Sequence, residues 1–273
     1  MNEQLISKLD MEAKLRRAIN KQEFTLHYQP KFNIHTREVI GAEALIRWYR
    51  PEEGMISPGL FIPIAEESGL INTITDWVVK EACQQSSTWQ QQGYMPIRMA
   101  INLSPRQFNQ ENIARRIFNQ IICSDLAPKY VELEITEGAL MEDINKSNEI
   151  LKELKSRGID ISIDDFGTGY SSLSYLKRFH LDTLKIDRSF VRDILEDPDD
   201  AAIVSAIIAM AKSLRLNVIA EGVETESQLN YLAAKGCNEA QGYLLGKPVS
   251  AEEFTQFLVK KDKEDIIRLA KSA

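Results

Sequence analysis

Short apolar segments of strand length alternate with longer segments of helical periodicity along most of this sequence. The segments with strand character are 24–32, 38–47, 97–102, 131–136, 159–164, 182–187, 216–221 and 239–244. Helical patterns occupy 59–67, 73–92, 109–123, 143–157, 172–179, 199–214, 226–235 and 251–260. Strands that alternate with helices pair in parallel, and this number of strands favours a closed barrel over an open sheet. The pattern therefore predicts an α/β protein with a TIM-like (β/α)8 barrel.

The first two predicted strands depart from this plan because no helix separates them. The turn from Asn33 to Arg37 is too short for a parallel crossover, so these strands are expected to form an antiparallel hairpin. The first strand should therefore run antiparallel to the rest of the barrel.

The chain has 273 residues, and a single barrel of this kind commonly fills roughly 250 residues. No Pro-, Gly- or Ser-rich linker divides it. We expect a helical lead-in over 1–20, which would link the barrel to an upstream domain. The barrel itself should occupy 21–260, followed by a helical tail over 261–273.

Composition excludes several classes of protein. The chain has 33 Lys and Arg against 40 Asp and Glu, with a formal net charge of -7, which argues against binding long nucleic acid through a basic surface. Three scattered cysteines and three histidines predict neither a disulfide framework nor a histidine-rich metal centre, so any metal would be bound by oxygen. No apolar run approaches the roughly 20 residues needed to cross a bilayer. We expect no direct membrane insertion and a cytoplasmic location, alone or as the cytoplasmic part of a larger, membrane-tethered protein.

Polar side chains recur on one face of several predicted strands, near their C-terminal ends. They are Asn102, Glu134, Asp164, Lys185 and Glu221. When each strand is considered by itself, the alternation of apolar and polar residues favours a half-exposed antiparallel sheet. Helices between the strands reverse that preference, because the apolar face must then pack against helices and the polar face must line the barrel.

In a (β/α)8 barrel, active sites are assembled at the C-terminal ends of the strands. Converging carboxylates repel one another, and divalent cations would relieve the repulsion. Oxygen ligands favour magnesium or manganese over zinc. The adjacent Asp164 and Asp165 suit a two-metal site that hydrolyses phosphate esters, although an isolated Asp-Asp pair more often forms a turn or a helix cap.

Seven ordered motifs carry a resemblance to a known family. They are Glu43-Ala44-Leu45 with Arg47, Asn102-Leu103-Ser104, Glu134-Ile135-Thr136-Glu137, Asp164-Asp165-Phe166-Gly167-Thr168-Gly169, Lys185-Ile186-Asp187, Glu221-Gly222-Val223-Glu224 and Gln241-Gly242. One Glu-Ala-Leu tripeptide occurs by chance, but the ordered series is specific. From about residue 11 to residue 260, the chain resembles the EAL domain of cyclic di-GMP phosphodiesterases.

The resemblance implies hydrolysis of cyclic di-GMP to linear pGpG by two-metal activation of water, which lowers the level of this second messenger. Two Mg²⁺ or Mn²⁺ ions are implied. The implied ligands of the first ion are Glu43, Asn102, Glu134 and Asp164, and those of the second are Asp164, Asp165 and Glu221. Lys185 would hold and polarise the attacking water, and Glu43, Asp165 and Glu221 are implied as catalytic with it.

The resemblance also implies that Gln29, Arg47 and Gln241 line the substrate site. Arg47 lies on the same strand face as Glu43. It could therefore contact a substrate phosphate or form a salt bridge with the ring of acidic residues at the strand ends, and both interpretations stay open. Glu137 is implied to anchor the loop after Asp165. From the residues alone, an ordinary exposed acid at a helix start is the simpler interpretation of Glu137.

Helix 199–214 is apolar almost all round, which predicts burial either inside the monomer or at a subunit interface. The resemblance implies a homodimer through this helix region and the loop after Asp165.

Two alternatives to the phosphodiesterase stay open. One is a catalytically silent cyclic di-GMP receptor, although such modules generally lack metal ligands or the glycine loop, both present here. The other is an enolase-type proton abstraction by Lys185 with a carboxylate-bound magnesium.

Overall fold

The structure is a computed structural model that describes residues 2–169 and 173–259. The predicted tail over 261–273 lies outside these residues. The strands are β1 (Phe24–Asn33), β2 (Val39–Arg50), β3 (Gly54–Ile56), β4 (Arg98–Leu103), β5 (Val131–Thr136), β6 (Asp160–Phe166), β7 (Thr183–Ile186), β8 (Asn217–Ala220) and β9 (Glu239–Ala240).

Eight of these strands close into a barrel. Its pairing runs from β2 through β4, β5, β6, β7, β8 and β9 to β1, and β1 pairs back with β2. The strands from β4 to β9 each pair in parallel with the preceding barrel strand, whereas β1 is antiparallel to both β2 and β9. The predicted barrel and its reversed first strand are confirmed. The short β3 adds to the edge of β2 and was not predicted.

The helices are α1 (Asn2–Lys21), α2 (Pro58–Glu67), α3 (Ile71–Gln91), α4 (Pro105–Phe108), α5 (Ile113–Ile122), α6 (Glu137–Glu142), α7 (Ile144–Ser156), α8 (Leu173–Leu176), α9 (Arg188–Arg192), α10 (Pro198–Ser213), α11 (Glu226–Lys235) and α12 (Ala251–Leu258). Proline starts α2, α4 and α10, where its missing N–H leaves no hydrogen bond unmade. The predicted helix 109–123 begins only at Ile113, because Asn112 has a left-handed backbone with φ 61°.

The two faces of the strands separate as predicted. Ile101, Leu133 and Ile163 are fully buried in the hydrophobic core outside the barrel strands. The opposite face carries Glu134 and Lys185, each 1% exposed, so polar groups line the interior. Within the described ranges, no helix combines the length and apolar character needed to cross a membrane. We call the end of the barrel at which the parallel strands terminate the mouth.

Candidate active site

Lys185 lies at the centre of the polar groups that the barrel brings together. Its Nζ is 2.7 Å from Glu134 Oε2, 2.9 Å from Asp164 Oδ1 and 2.6 Å from Glu221 Oε1. These carboxylates come from β5, β6 and the residue after β8, respectively. One ammonium therefore joins three acids that are far apart in sequence.

A bulge in β6 brings the adjacent acids to the same site. Consecutive residues of a regular strand point to opposite faces, which would separate Asp164 from Asp165. Here the register with β7 shifts between Ile163 and Phe166, and Asp165 has a left-handed backbone with φ 53°. As a result, Asp164, Asp165 and Glu221 each offer a carboxylate oxygen, and these oxygens lie within 4.8 Å of one another.

Three acids of the mouth have raised pKa values. Burial and the neighbouring Asp164 raise the pKa of Asp165 to about 6. Burial raises the pKa of Glu221 to about 8, although Lys185 opposes the change. Burial also raises the pKa of Glu43, and the nearby Glu134 adds to that effect. This excess of negative charge, offered only by oxygen donors, fits a hard divalent cation.

Glu134 behaves differently from the other acids. Burial by itself would raise its pKa, but Lys185 and Lys31 outweigh burial and lower the pKa to about 2. Both oxygens accept hydrogen bonds, Oε1 from Lys31 and Oε2 from Lys185, each at 2.7 Å. Glu134 is therefore connected to Asp164 through Lys185, whereas the convergent set of oxygens consists of Asp164, Asp165 and Glu221.

Amide side chains hold Glu43 from both sides. Its Oε1 accepts a hydrogen bond from Asn102 Nδ2 at 2.7 Å, and its Oε2 accepts one from Gln241 Nε2 at 2.6 Å. Gln241 Nε2 also donates to Gln29 Oε1 at 2.9 Å. Gln29 lies near the middle of β1, directly opposite Glu43. Four predicted site residues thus form one hydrogen-bonded chain.

A cleft of about 440 Å³ opens at the mouth. Gln29, Glu43, Lys185 and Gln241 line it, together with the three convergent acids. Arg188, Glu224 and Tyr243 also line it and were not predicted. Arg188 and Tyr243 directly follow motifs already identified, and Glu224 is the last residue of another, so the motifs and their immediate neighbours were the available signal.

Arg47 lies outside this cleft. It lines a neighbouring cavity of about 270 Å³ between β2, α2 and α3, which Asn102 also reaches. Its Nη1 donates to the carbonyl oxygen of Ile46 at 3.0 Å. Among the described residues, no carboxylate lies within 4.0 Å of its guanidinium, so the alternative of a salt bridge in the acidic ring is wrong. A substrate contact by Arg47 stays a prediction.

Glu137 begins α6 beneath the loop that follows Asp165. It is 3% exposed, so the interpretation as an exposed acid is wrong. Its Oε2 accepts a hydrogen bond from the backbone N–H of Gly167 at 3.2 Å. A Cβ at Gly169 would lie 3.0 Å from Glu137 Oε1, so glycine lets this loop approach the carboxylate closely. These contacts favour the anchoring role.

The predicted apolar helix is only half buried. In α10, Val204, Ile207 and Ile208 pack into the core, whereas Ala202 and Ile203 are exposed. The expectation that this helix is completely buried inside the monomer is therefore wrong. The exposed face leaves the interface alternative open.

Comparison with known proteins identifies the family. The family model described as EAL domain matches residues 12–248. The chain belongs to the EAL domain family. This confirms the predicted resemblance.

Several bacterial signalling proteins are similar to this EAL domain. The bifunctional diguanylate cyclase/cyclic di-GMP phosphodiesterase MucR of Pseudomonas aeruginosa is 46% identical over 253 residues, covering 93% of this chain and 37% of MucR. The cyclic di-GMP phosphodiesterase NbdA of the same organism is 41% identical over 250 residues, covering 92% of this chain and 32% of NbdA. The chain thus spans about a third of the length of these relatives.

A solved structure of a PaMucR phosphodiesterase in complex with c-di-GMP is also similar. It matches with a TM-score of 0.87 and 46% identity, covering 90% of this chain and 99% of that chain. The similarity therefore extends over nine-tenths of this chain.

Proposed function

We propose that this EAL domain is a metal-dependent phosphodiesterase that hydrolyses cyclic di-GMP to linear pGpG. The observation that carries the proposal is the convergence of Asp164, Asp165 and Glu221 beside the buried Lys185. Clustered carboxylates in a cleft are costly unless a cation neutralises them. The names of the similar proteins, which include cyclic di-GMP phosphodiesterases, supply the substrate.

We propose two Mg²⁺ or Mn²⁺ ions at the mouth. Glu43, Asn102, Glu134 and Asp164 would hold one, and Asp164, Asp165 and Glu221 would hold the other. Such ions supply Lewis-acid polarisation of phosphoryl oxygens and activation of water. In this arrangement Asn102 and Gln241 orient Glu43 through hydrogen bonds at 2.7 and 2.6 Å.

Lys185 has the central catalytic role in this proposal. Its Nζ lies between Asp164 and Glu221, so it would donate a hydrogen bond to a water held there and orient its oxygen towards phosphorus. Attack in line with the 3′-oxygen would open the cyclic ester. Asp165, Glu221 and Glu43 act with Lys185 by holding the reacting groups. Gln29, Arg47 and Gln241 would contact the substrate, Arg47 as a forked donor to a phosphate.

The test is to incubate the purified chain with cyclic di-GMP, with and without Mg²⁺ or Mn²⁺, and to separate the products by chromatography. We expect pGpG only when the metal is present. Glu43→Ala should abolish turnover by weakening metal occupancy, whereas Glu111→Ala, which removes an exposed acid that does not line the cleft, should not. Binding of cyclic di-GMP without any conversion would favour the silent receptor instead.

We also propose a homodimer through the exposed face of α10 and the loop after Asp165. Ile203 is 38% exposed on this face beside Ala202, Ala206 and Ala209, so it offers a contiguous apolar surface. Analytical ultracentrifugation at micromolar concentration, with metal and ligand, should show a dimer. Ile203→Glu should give a monomer, while Met95→Glu, an exposed apolar position elsewhere, should not. A monomeric wild type would contradict this proposal.

We propose a cytoplasmic location for this domain, with residues 21–260 as the phosphodiesterase unit and residues 1–20 as its lead-in. All three cysteines are free thiols, as expected in a reducing compartment. Fractionation of cells that produce the full protein would test the location.

A further inference from the structure

A second buried lysine lies deeper in the barrel than Lys185. Lys31 is 4% exposed, and its Nζ is 2.6 Å from Glu132 Oε1 and 2.7 Å from Glu134 Oε1. It belongs to β1, the antiparallel strand, and lies two residues beyond Gln29 in the direction away from the mouth. The family motifs described above do not include Lys31.

Lys31 and Lys185 hold Glu134 from opposite sides. Lys31 bonds Oε1, and Lys185 bonds Oε2 while also reaching Asp164. The Glu134 side chain is 0% exposed, so water does not compete for either oxygen. Because Lys31 holds one oxygen from below, the other oxygen faces Lys185, which lines the cleft at the mouth.

Below Glu134 the charges continue in an alternating series. Glu132 Oε2 is 3.7 Å from Arg98 Nη1, and Arg98 Nη2 is 2.9 Å from Glu239 Oε1. We call Lys31, Arg98, Glu132 and Glu239 the lower interior. Lys31 is thus the member that joins the lower interior to the mouth. It has two separable effects: it neutralises Glu132, and it holds Glu134.

We propose that Lys31 is a positioning residue, which holds Glu134 in the orientation that presents an oxygen to the divalent cations at the mouth. This inference rests on the proposed metal-dependent function. Partners that orient metal ligands from behind typically change metal affinity or activity by about 10–100-fold when removed. Lys31 would act in this way through Glu134, without touching the substrate.

The experiment compares the wild type with Lys31→Met, which keeps the aliphatic chain and removes the ammonium. We expect Mn²⁺ binding, measured by EPR titration without substrate, to weaken by about 10-fold or more, and kcat to fall about 10–100-fold. KM for cyclic di-GMP should stay within about threefold, because the substrate-lining residues are unchanged. Circular dichroism and thermal melts would establish that the variant is folded.

A double variant, Lys31→Met with Glu132→Gln, separates the two effects of Lys31. It removes the ammonium and the acid that the ammonium neutralises below Glu134, so it leaves no unpaired charge at Glu132. If Lys31 holds Glu134, the double variant keeps the defect in Mn²⁺ affinity. If Lys31 merely neutralises Glu132, the double variant recovers. The matched control is Arg98→Met, which removes a cation of the lower interior that does not contact Glu134.

Mn²⁺ affinity and kcat within about twofold of the wild type in the double variant would overturn the proposal, as would failure of the double variant to fold, which would make Lys31 purely structural. An equal loss in Arg98→Met would also overturn it. A wild type that binds Mn²⁺ but produces no pGpG would refute the proposed function alone, since the Mn²⁺ titrations still test Lys31.

Discussion

The mouth and the lower interior both place carboxylates inside one barrel, but they balance the charge differently. In the lower interior, Lys31 and Arg98 alternate with Glu132 and Glu239. At the mouth, one ammonium, that of Lys185, is shared among Glu134, Asp164 and Glu221. The lower interior is thus neutralised by the chain itself.

The pKa values of two acids of the mouth show what a close cation does. Two lysines lower the pKa of Glu134 to about 2, whereas burial and like charges raise that of Asp165 to about 6. Buried acids are tolerated when paired and are costly when they are not. On the proposed function, cations from solution would complete the mouth, whereas the charges of the lower interior are balanced within the chain.

The largest expected effect is on catalysis at the mouth. Lys185→Ala should reduce turnover by about 10²–10³-fold, as expected when one electrostatic contact to the reacting groups is lost. Mn²⁺ affinity should not fall, because Lys31 still holds Glu134 and the loss of the Lys185 ammonium leaves the acids of the mouth more negative. Lys31→Met should lower both turnover and Mn²⁺ affinity, so steady-state kinetics with EPR titration would distinguish the two variants. Turnover within threefold of the wild type would contradict the role of Lys185.

Divalent cations should stabilise the mouth measurably. A ligand that binds only the folded state at about 100 times its Kd adds about 2.7 kcal/mol to the free energy of unfolding. We expect a gain of this size with Mg²⁺ or Mn²⁺ in urea unfolding. The double variant Asp165→Asn with Glu221→Gln should lose most of it. An undiminished gain in that variant would place the cation elsewhere.

A cluster outside the mouth should affect stability without affecting turnover. Lys155 Nζ, at the C-terminal end of α7, is 3.0 Å from Asp160 Oδ1 and 2.7 Å from both carboxylate oxygens of Asp182. Lys155→Met should cost about 2 kcal/mol, the size expected for hydrogen bonds to charged groups. Turnover should stay within twofold. Lys152→Met, an exposed lysine of the same helix, is the matched control for urea unfolding.

The smallest expected effect is a pH dependence of the metal-free protein. The pKa of Asp165 is about 6 when folded, above its ordinary 3.8, so the folded state binds more protons between these values. The contribution of Asp165 protonation to the free energy of unfolding is therefore fully present below pH 3.8 and is lost as the pH rises through 6. Because water screens the exposed Asp165, we expect a change of only about 1 kcal/mol.

The measurement is urea unfolding in EDTA from pH 4 to pH 7, comparing the wild type with Asp165→Asn. The difference between them should shrink or change sign over this range. Saturating Mg²⁺ should stabilise more at high pH, since cations bind ionised carboxylates. A difference that does not vary with pH would refute the raised pKa of Asp165.

Much of the barrel was predictable because its signals are local. The alternation in β4, β5 and β6 and the short turn after β1 predicted both the closed sheet and its reversed strand. β3 and α9 were missed since three and five residues are too few for a periodic pattern. The length of β9 was overestimated, because the pairing with β8 ends at Ala240 and Gln241 lies beyond it.

The site itself was only partly predictable. Its residue types and their positions near strand ends follow from the linear pattern, and so does an oxygen-lined metal site. The bulge that turns Asp165, the three contacts of Lys185 and the pairing of Lys31 with Glu134 do not. Periodicity reports contacts between near neighbours in the chain, whereas these contacts arise when the sheet closes and joins β1 to β9, more than 200 residues apart. Which acids then share a lysine depends on the strand register and backbone twist of the closed barrel.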